Sequence, residues 1–332
     1  EYLKLAILDA LKAGRQIILF LNRRGSSTVV MCKDCAFVPT CKDCAVSLVW
    51  HSKSRNVEMS QGFLLCHHCG KKYDMPSVCP SCASTEFSFW GVGTQLLEDS
   101  LVQFLKENFA RDKLPEVARM DQDSMEKTGE HERIYKEWSG GKIKILIGTQ
   151  IVSKGWDAHN VGLVGIISAD TILHLPDFRS NERTFQVLTQ VAGRAGRGTS
   201  SGLVILQTYH PDNYAIENAR THNFEKFYQK EIEQRGKYNY PPFCTLVKLT
   251  SAHANEQKAE EQIRSAFRHI AAKRNMLVEI LGPVPAFISR VRKKYRYHLY
   301  LKIPKGQDVG IFELLKDLPS YIDIDVDPES LL

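Results

Sequence analysis

Apolar runs alternate with amphipathic stretches along most of the chain. Residues 2–14 (YLKLAILDALKAG) repeat apolar positions at helical spacing, and Gln16 to Phe20 (QIILF) follow as a continuous apolar run, the mark of a strand covered on both faces. Ser26 to Met31 predicts a second strand and Phe87 to Gly93 an extended segment, followed by a helix over LLEDSLVQFLKENF (96–109). A short strand at Val117 to Met120, a helix over HERIYKEWSGG (131–141) and a core strand at Ile143 to Gly148 come next. Leu163 to Ser168 predicts a strand, Glu182 to Val191 a helix, Val204 to Gln207 a strand and Tyr214 to Gly236 a charged helix. Strands alternating with helices predict an α/β fold with a parallel sheet. Tyr240-Pro241-Pro242 marks a boundary, beyond which a strand at 245–250, a helix at 255–274 and strands near 277–281, 297–303 and 322–327 predict a smaller α+β unit.

Composition changes this picture little. The chain has 332 residues, 43% hydrophobic and 25% charged, which fits two or three globular domains. Its apolar runs are far too short to span a bilayer, so no membrane partner is expected. It opens on Glu1 inside a helical pattern, as a piece of a longer protein would.

The cysteines change it more. Eight of nine fall between Cys32 and Cys82 as C-x2-C-x5-C-x2-C-x21-C-x2-C-x9-C-x2-C. Thiolates two residues apart reach one ion at about 2.3 Å, and four close a tetrahedral structural site, so eight predict two zinc ions; disulfides would need an oxidising compartment that nothing else in the chain indicates. Four pairs can combine two by two in three ways. Because the cysteines interrupt a domain, entry and exit of the inserted module must meet, which favours Cys32 and Cys35 with Cys79 and Cys82, enclosing a nested set of Cys41, Cys44, Cys66 and Cys69. His67 and His68 are alternative ligands or, more simply, surface or supporting groups. Cys244, left over beside Phe243, reads as a core residue.

Net charge is +6, with +3 of it over 238–332. There Arg290, Arg292, Lys293, Lys294, Arg296, Lys302 and Lys305 interleave with Tyr295, Tyr297 and Tyr300. Cations neutralise phosphates and tyrosine rings stack on bases, which predicts a nucleic-acid contact; a solvated cationic strand face is the alternative. Further chemistry clusters at the ends of predicted strands, in LNRRG (21–25), GVGTQ (91–95), Gly148-Thr149-Gln150 and Lys154-Gly155-Trp156-Asp157. Gln190 to Gly198 (QVAGRAGRG) places Arg194 and Arg197 three residues apart among glycines, an arrangement that aims guanidinium groups at phosphate; an ordinary glycine-rich basic turn is the alternative. Gly140-Gly141-Lys142 lacks P-loop spacing and reads as a helix end, and the sequence contains no G-x-x-x-x-G-K-[ST].

Residues 143–157 (IKILIGTQIVSKGWD) and 176–198 (PDFRSNERTFQVLTQVAGRAGRG) resemble the later motifs of superfamily 2 helicases. Together with the nested cysteines, LNRRG, GVGTQ, RMDQDS, YPPF, LGPVPA and DIDVDP, the whole chain resembles the C-terminal half of the primosomal replication-restart helicases. The resemblance departs at Ala158-His159, where the family usually carries Phe-Pro. It implies an α/β fold: a second RecA-like helicase lobe over 1–31 and 88–237, an inserted zinc module with two four-cysteine sites over 32–87, and a small α+β C-terminal DNA-binding domain over 238–332. It further implies an ATP-dependent 3′→5′ DNA helicase, cytoplasmic and nucleoid-associated in a bacterium, that restarts stalled forks and assembles the primosome.

Residue by residue, the resemblance implies that Arg194, Arg197 and Gln190 are catalytic, with Arg197 the arginine finger. Gly155 and Asp157 would line the nucleotide, and Thr149, Gln150, Lys154, Arg292, Lys293 and Arg296 would contact DNA. Expected partners are forked DNA, ATP, single-strand-binding protein and other primosome proteins. ATP and Mg²⁺ would be held with a first lobe absent from this sequence, leaving the piece alone inactive. The alternative is a non-enzymatic zinc-containing DNA-binding or assembly module.

Overall fold

The structure, a computed structural model, describes residues 1–21, 29–52, 62–90, 94–120, 129–148, 160–195, 202–273, 277–306 and 311–332. Contacts gather the chain into two compact units: 1–26, 91–173 and 181–227 form one, and 27–90, 174–180 and 228–332 the other. The sequence pattern suggests three domains, with the cysteine module an insertion in the first. In the structure the residues of that module cluster with 174–180 and 228–332.

The first unit is built on a parallel sheet. Strands β1 (Gln16–Leu21), β7 (Glu116–Met120), β8 (Ile143–Gly148), β9 (Val161–Ile167) and β10 (Leu203–Leu206) lie in the order β10-β9-β1-β8-β7, all neighbours parallel. β1 is buried at every position, as its unbroken apolar run requires of the central strand. Helices Tyr2–Lys12 and Thr94–Asn108 bring Leu3, Ile7, Leu101 and Leu105 onto Ile17, Leu19, Ile145, Ile147 and Leu163. The approach is close enough at β9 that a Cβ on Gly165 would stand 2.7 Å from Leu19 and 3.0 Å from Leu3, so a larger residue there would displace these buried leucines. Helix Glu130–Ser139 ends at Gly140, and the Gly141 backbone turns left-handed at φ +72°, so this glycine pair is a helix terminus. Gln16 ties that terminus to the sheet by donating to the carbonyls of Trp138 (2.8 Å) and Ile143 (2.9 Å).

The expected single helix from Tyr214 to Gly236 is two helices, Tyr214–Arg220 and Phe224–Lys237. His222 adopts φ 50°, and Asn223 then caps the second helix by accepting the Lys226 N–H at 3.0 Å. Charge content conceals the break, because Thr-His-Asn carries neither glycine nor proline.

The second unit holds two antiparallel sheets. β2 (Val29–Cys32), β3 (Val49–His51), β4 (Phe63–Leu65), β5 (Lys72–Asp74) and β6 (Phe87–Trp90) run in the order β5-β4-β3-β2-β6. β11 (Cys244–His253), β12 (Glu279–Val291), β13 (Lys294–Pro304) and β14 (Ile322–Val326) run β12-β13-β11-β14. Helix Glu256–Lys273 lays Ala259, Ile263, Ala266 and Ile270, a stripe at helical spacing, over Tyr297, Leu299, Leu301 and Ile303 of β13. The opposite face of β13 is covered too: Tyr300 packs with Phe178, Tyr240, Leu246, Val284 and Leu331. β13 is therefore an interior strand, and the alternation that reads as half solvated is covered on both sides.

Candidate functional site

Four Cys-x-x-Cys turns in the second unit share one backbone design. In each, the N–H of the first cysteine donates to the carbonyl five residues on: Cys32 to Phe37, Cys41 to Val46, Cys66 to Lys71 and Cys79 to Ser84. The residue after the second cysteine returns a bond to the first cysteine's carbonyl, from Ala36, Ala45, Gly70 and Ala83, and each of these four has positive φ (62°, 53°, 78° and 62°). The turn thereby points both sulfurs to one side. The small residue in the fifth position of every repeat is the signal for this turn in the sequence.

The turns combine in pairs. The sulfurs of Cys32, Cys35, Cys79 and Cys82 all lie within 4.8 Å of one another, and so do those of Cys41, Cys44, Cys66 and Cys69. Cys32 and Cys82 are 3.6 Å apart, Cys35 and Cys79 3.5 Å, and Cys41 and Cys69 3.7 Å. Tetrahedral thiolates around an ion at about 2.3 Å stand about 3.8 Å apart, so each tetrad has the dimensions of a four-thiolate metal site. The donor set is all sulfur, which suits a soft structural ion. The Phe37 backbone N–H, more than any other group, lowers the Cys35 thiol from its ordinary range.

His67 and His68 are not surface groups: both are buried, and neither joins a tetrad. His67 Nδ1 lies 2.8 Å from the Pro285 carbonyl and its Nε2 2.9 Å from His51 Nε2. His68 spans the Tyr240 hydroxyl and the Pro176 carbonyl, each at 3.0 Å. The Tyr240 hydroxyl in turn donates to the Cys44 carbonyl at 3.1 Å. Asp177, buried in the same unit, accepts the N–H groups of Arg179 (2.9 Å) and Leu331 (3.0 Å) and the Ser330 hydroxyl (3.1 Å). The nested tetrad is thus fastened to the C-terminal sheet by a polar network that the cysteine spacing does not reveal.

The basic segment separates into two kinds of residue. β12 and β13 meet in a two-residue turn, Val291 paired with Lys294, with Arg292 (φ 48°) and Lys293 (φ 65°) both left-handed at its tip. Arg290, Arg292, Lys293 and Lys294 are exposed there, and Arg296 is half-buried with Nη2 3.4 Å from His298 Nε2. Lys302 is buried, donating to the Tyr238 carbonyl at 2.8 Å and lying 4.1 Å over the Tyr240 ring. Tyr297 and Tyr300 are buried as well, and Tyr295 lies under the Arg290 guanidinium at 5.0 Å. Tyr297 and Tyr300 are core and are not available to stack on bases. Cys244 is core too: its thiol, 3.1 Å from the Asn239 carbonyl, is pushed up to about 11 by burial.

In the first unit, Gln190 sits exposed on helix Ser180–Ala192, and Arg194 follows one turn later, buried. β8 ends at Gly148, immediately before Thr149, at the carboxyl edge of the sheet where open α/β folds place ligands. Thr149, Gln150, Lys154, Gly155, Asp157 and Arg197 lie outside the described residues.

A parallel sheet with a helix that carries Gln190 and leads into Arg194, in a chain that also holds two cysteine tetrads, is the arrangement of a helicase C-terminal lobe joined to further modules. Residues 94–199 match the Helicase conserved C-terminal domain, and residues 236–329 match the Primosomal protein N C-terminal domain. The chain is 39% identical over 324 residues to the Replication restart protein PriA of Bacillus subtilis (strain 168), covering 98% of the chain and 38% of that protein. It is 40% identical over 331 residues to that of Synechocystis sp. (98% and 38%) and 35% identical over 327 residues to that of Treponema pallidum (97% and 48%). The chain belongs to the PriA family, as its C-terminal portion, and spans half or less of the length of these relatives.

Proposed function

We propose that this chain is the C-terminal portion of an ATP-dependent 3′→5′ DNA helicase that restarts replication at stalled forks, in a bacterial cytoplasm beside the nucleoid. The observation that carries the reading is the helix Ser180–Ala192: it presents Gln190 and leads into Arg194 as the resemblance requires, within the stretch that matches a helicase lobe. That match sets aside the non-enzymatic module as a whole account of the chain. In this reading Arg197 supplies charge to a phosphoryl group held by a first lobe, Arg194 and Gln190 assist, and Gly155 and Asp157 line the nucleotide. Thr149, Gln150 and Lys154 track DNA, joined by Arg292, Lys293 and Arg296 of the C-terminal unit. ATP and Mg²⁺ chemistry needs the P-loop and acidic groups of the first lobe, so the chain alone is inactive. Each cysteine tetrad holds a structural zinc ion, and single-strand-binding protein and other primosome components are the partners.

The test is DNA-stimulated ATPase of the full-length protein. Arg197→Ala is expected to reduce turnover by on the order of 10³ while leaving zinc content and nucleotide-free DNA binding near wild type, because a finger acts on transition-state charge. Retention of more than about a tenth of the rate would transfer the role to Arg194.

A further inference from the structure

Upstream of Arg194, the same helix face leads into an aromatic slot that the motor reading leaves without a task. Phe185 and Phe227 stack at 4.2 Å and 11°, and both are buried. Phe224, at 6.2 Å and 56° to Phe185, forms a wall that is 61% exposed. Glu182, Gln186 and Gln190 rim a cavity of about 590 Å³ over these rings. Gln186 donates to Glu182 at 3.2 Å, which fixes its amide plane, and Gln190 stands exposed beside it on the rim.

We propose that this slot binds a nucleobase. Phe224, seated on the buried Phe185–Phe227 pair, offers an exposed phenyl face on which any base can stack, and planar side-chain amides offer donor and acceptor together, the pairing that a base edge presents. The carboxylate of Glu182 repels phosphate from the slot itself. Arg194 lies two residues beyond the end of this helix at Ala192, so a sugar and phosphate leaving the slot past Gln190 run toward the turn that carries Arg194. Only that direction rests on the helicase reading; the base contact stands on the rings and amides. The base can belong to single-stranded DNA or to a free nucleotide.

The 332-residue chain is titrated with a labelled oligodeoxyadenylate, with an abasic oligonucleotide of equal length, and with AMP, in wild type, Phe224→Ala and Phe224→Tyr. Phe224→Ala is expected to weaken the oligodeoxyadenylate about tenfold without changing the abasic strand, and Phe224→Tyr to restore binding. Loss confined to AMP, again restored by tyrosine, assigns the slot to a free nucleotide. Equal loss on the abasic strand, or no loss with either base-bearing probe, overturns the proposal. The slot fails on these titrations and the motor reading on the ATPase of Arg197→Ala, so the two fail separately.

Discussion

At the scale of single residues, the cysteine turns depend on small side chains in left-handed backbone as much as on sulfur. Ala45 holds φ 53° to return its N–H to Cys41. A non-glycine residue there costs on the order of 1–2 kcal/mol, and branching at Cβ raises the cost. Ala45→Gly is expected to keep stability within about 1 kcal/mol of wild type and retain metal, whereas Ala45→Val loses about 1–3 kcal/mol and releases metal at lower chelator concentration. Chelator titration with thermal unfolding checks this, and equal behaviour of the two variants would refute it. His298 gives a second residue-scale expectation. Burial, reinforced by Arg296, Lys248, His67 and His68, holds its imidazole well below the ordinary 6.5, with Nδ1 2.9 Å from the Tyr300 hydroxyl. The unfolded chain therefore takes up the proton first, so this contribution to stability is complete above pH 6.5 and is lost as pH falls below it. His298→Gln is expected to flatten the fall in melting temperature between neutral and acid pH relative to wild type at equal metal content; an identical slope counts against the account.

At the scale of elements, the strongest signals are those that burial alone dictates. β1, β8 and β9 announce themselves as apolar runs because parallel central strands are covered on both faces. β12 and β13 run longer than the sequence predicts. Gly282, Pro283 and Pro285 look like breakers, yet the ladder absorbs them in irregularities between Leu281 and Val284 and between Pro285 and Arg290. The tyrosines and Lys302 of β13 resemble a solvated face because what covers them comes from Phe178, Tyr240 and the helix Glu256–Lys273, remote in sequence. The cysteine spacing shows that metal sites exist, while the fastening through His67, His68 and Gly70 is a tertiary fact. Gly70 has φ +78°, and a Cβ there would stand 2.8 Å from Val284 Cγ1. Gly70→Ala is therefore expected to cost about 1–3 kcal/mol and to raise amide exchange in both the nested turns and β12. Exchange confined to the cysteine turns would show that the two sheets are not coupled. In parallel, metal analysis of the wild type is expected to give two zinc ions per chain, with Cys79→Ser releasing the ion that Cys32→Ser releases.

At the scale of the whole molecule, the proposed contact with DNA turns on charge rather than shape. The net charge of +6 is modest, and much of the C-terminal excess is concentrated at the β12–β13 tip, where Arg290, Arg292, Lys293 and Lys294 stand exposed. Since Tyr297 and Tyr300 are buried, this tip can meet phosphates, but these rings cannot stack on bases. Affinity through it should then be insensitive to sequence and steeply dependent on salt, because each neutralised phosphate releases condensed counterions. Combined substitution of Arg292, Lys293 and Arg296 by glutamine is expected to lower the slope of log affinity against log salt by up to about 0.9 for each duplex phosphate no longer neutralised, with equal effect on unrelated sequences. The measurement is anisotropy of a labelled duplex across a salt series on the intact chain. Arg292 and Lys293 are exposed at the turn, so their substitution leaves the core of β13 intact; Arg296, near His298, is also tested alone to separate the loss of a phosphate partner from a disturbance of packing. A slope unchanged in the triple variant would make the tip a solvated turn and move the DNA interface elsewhere in the protein.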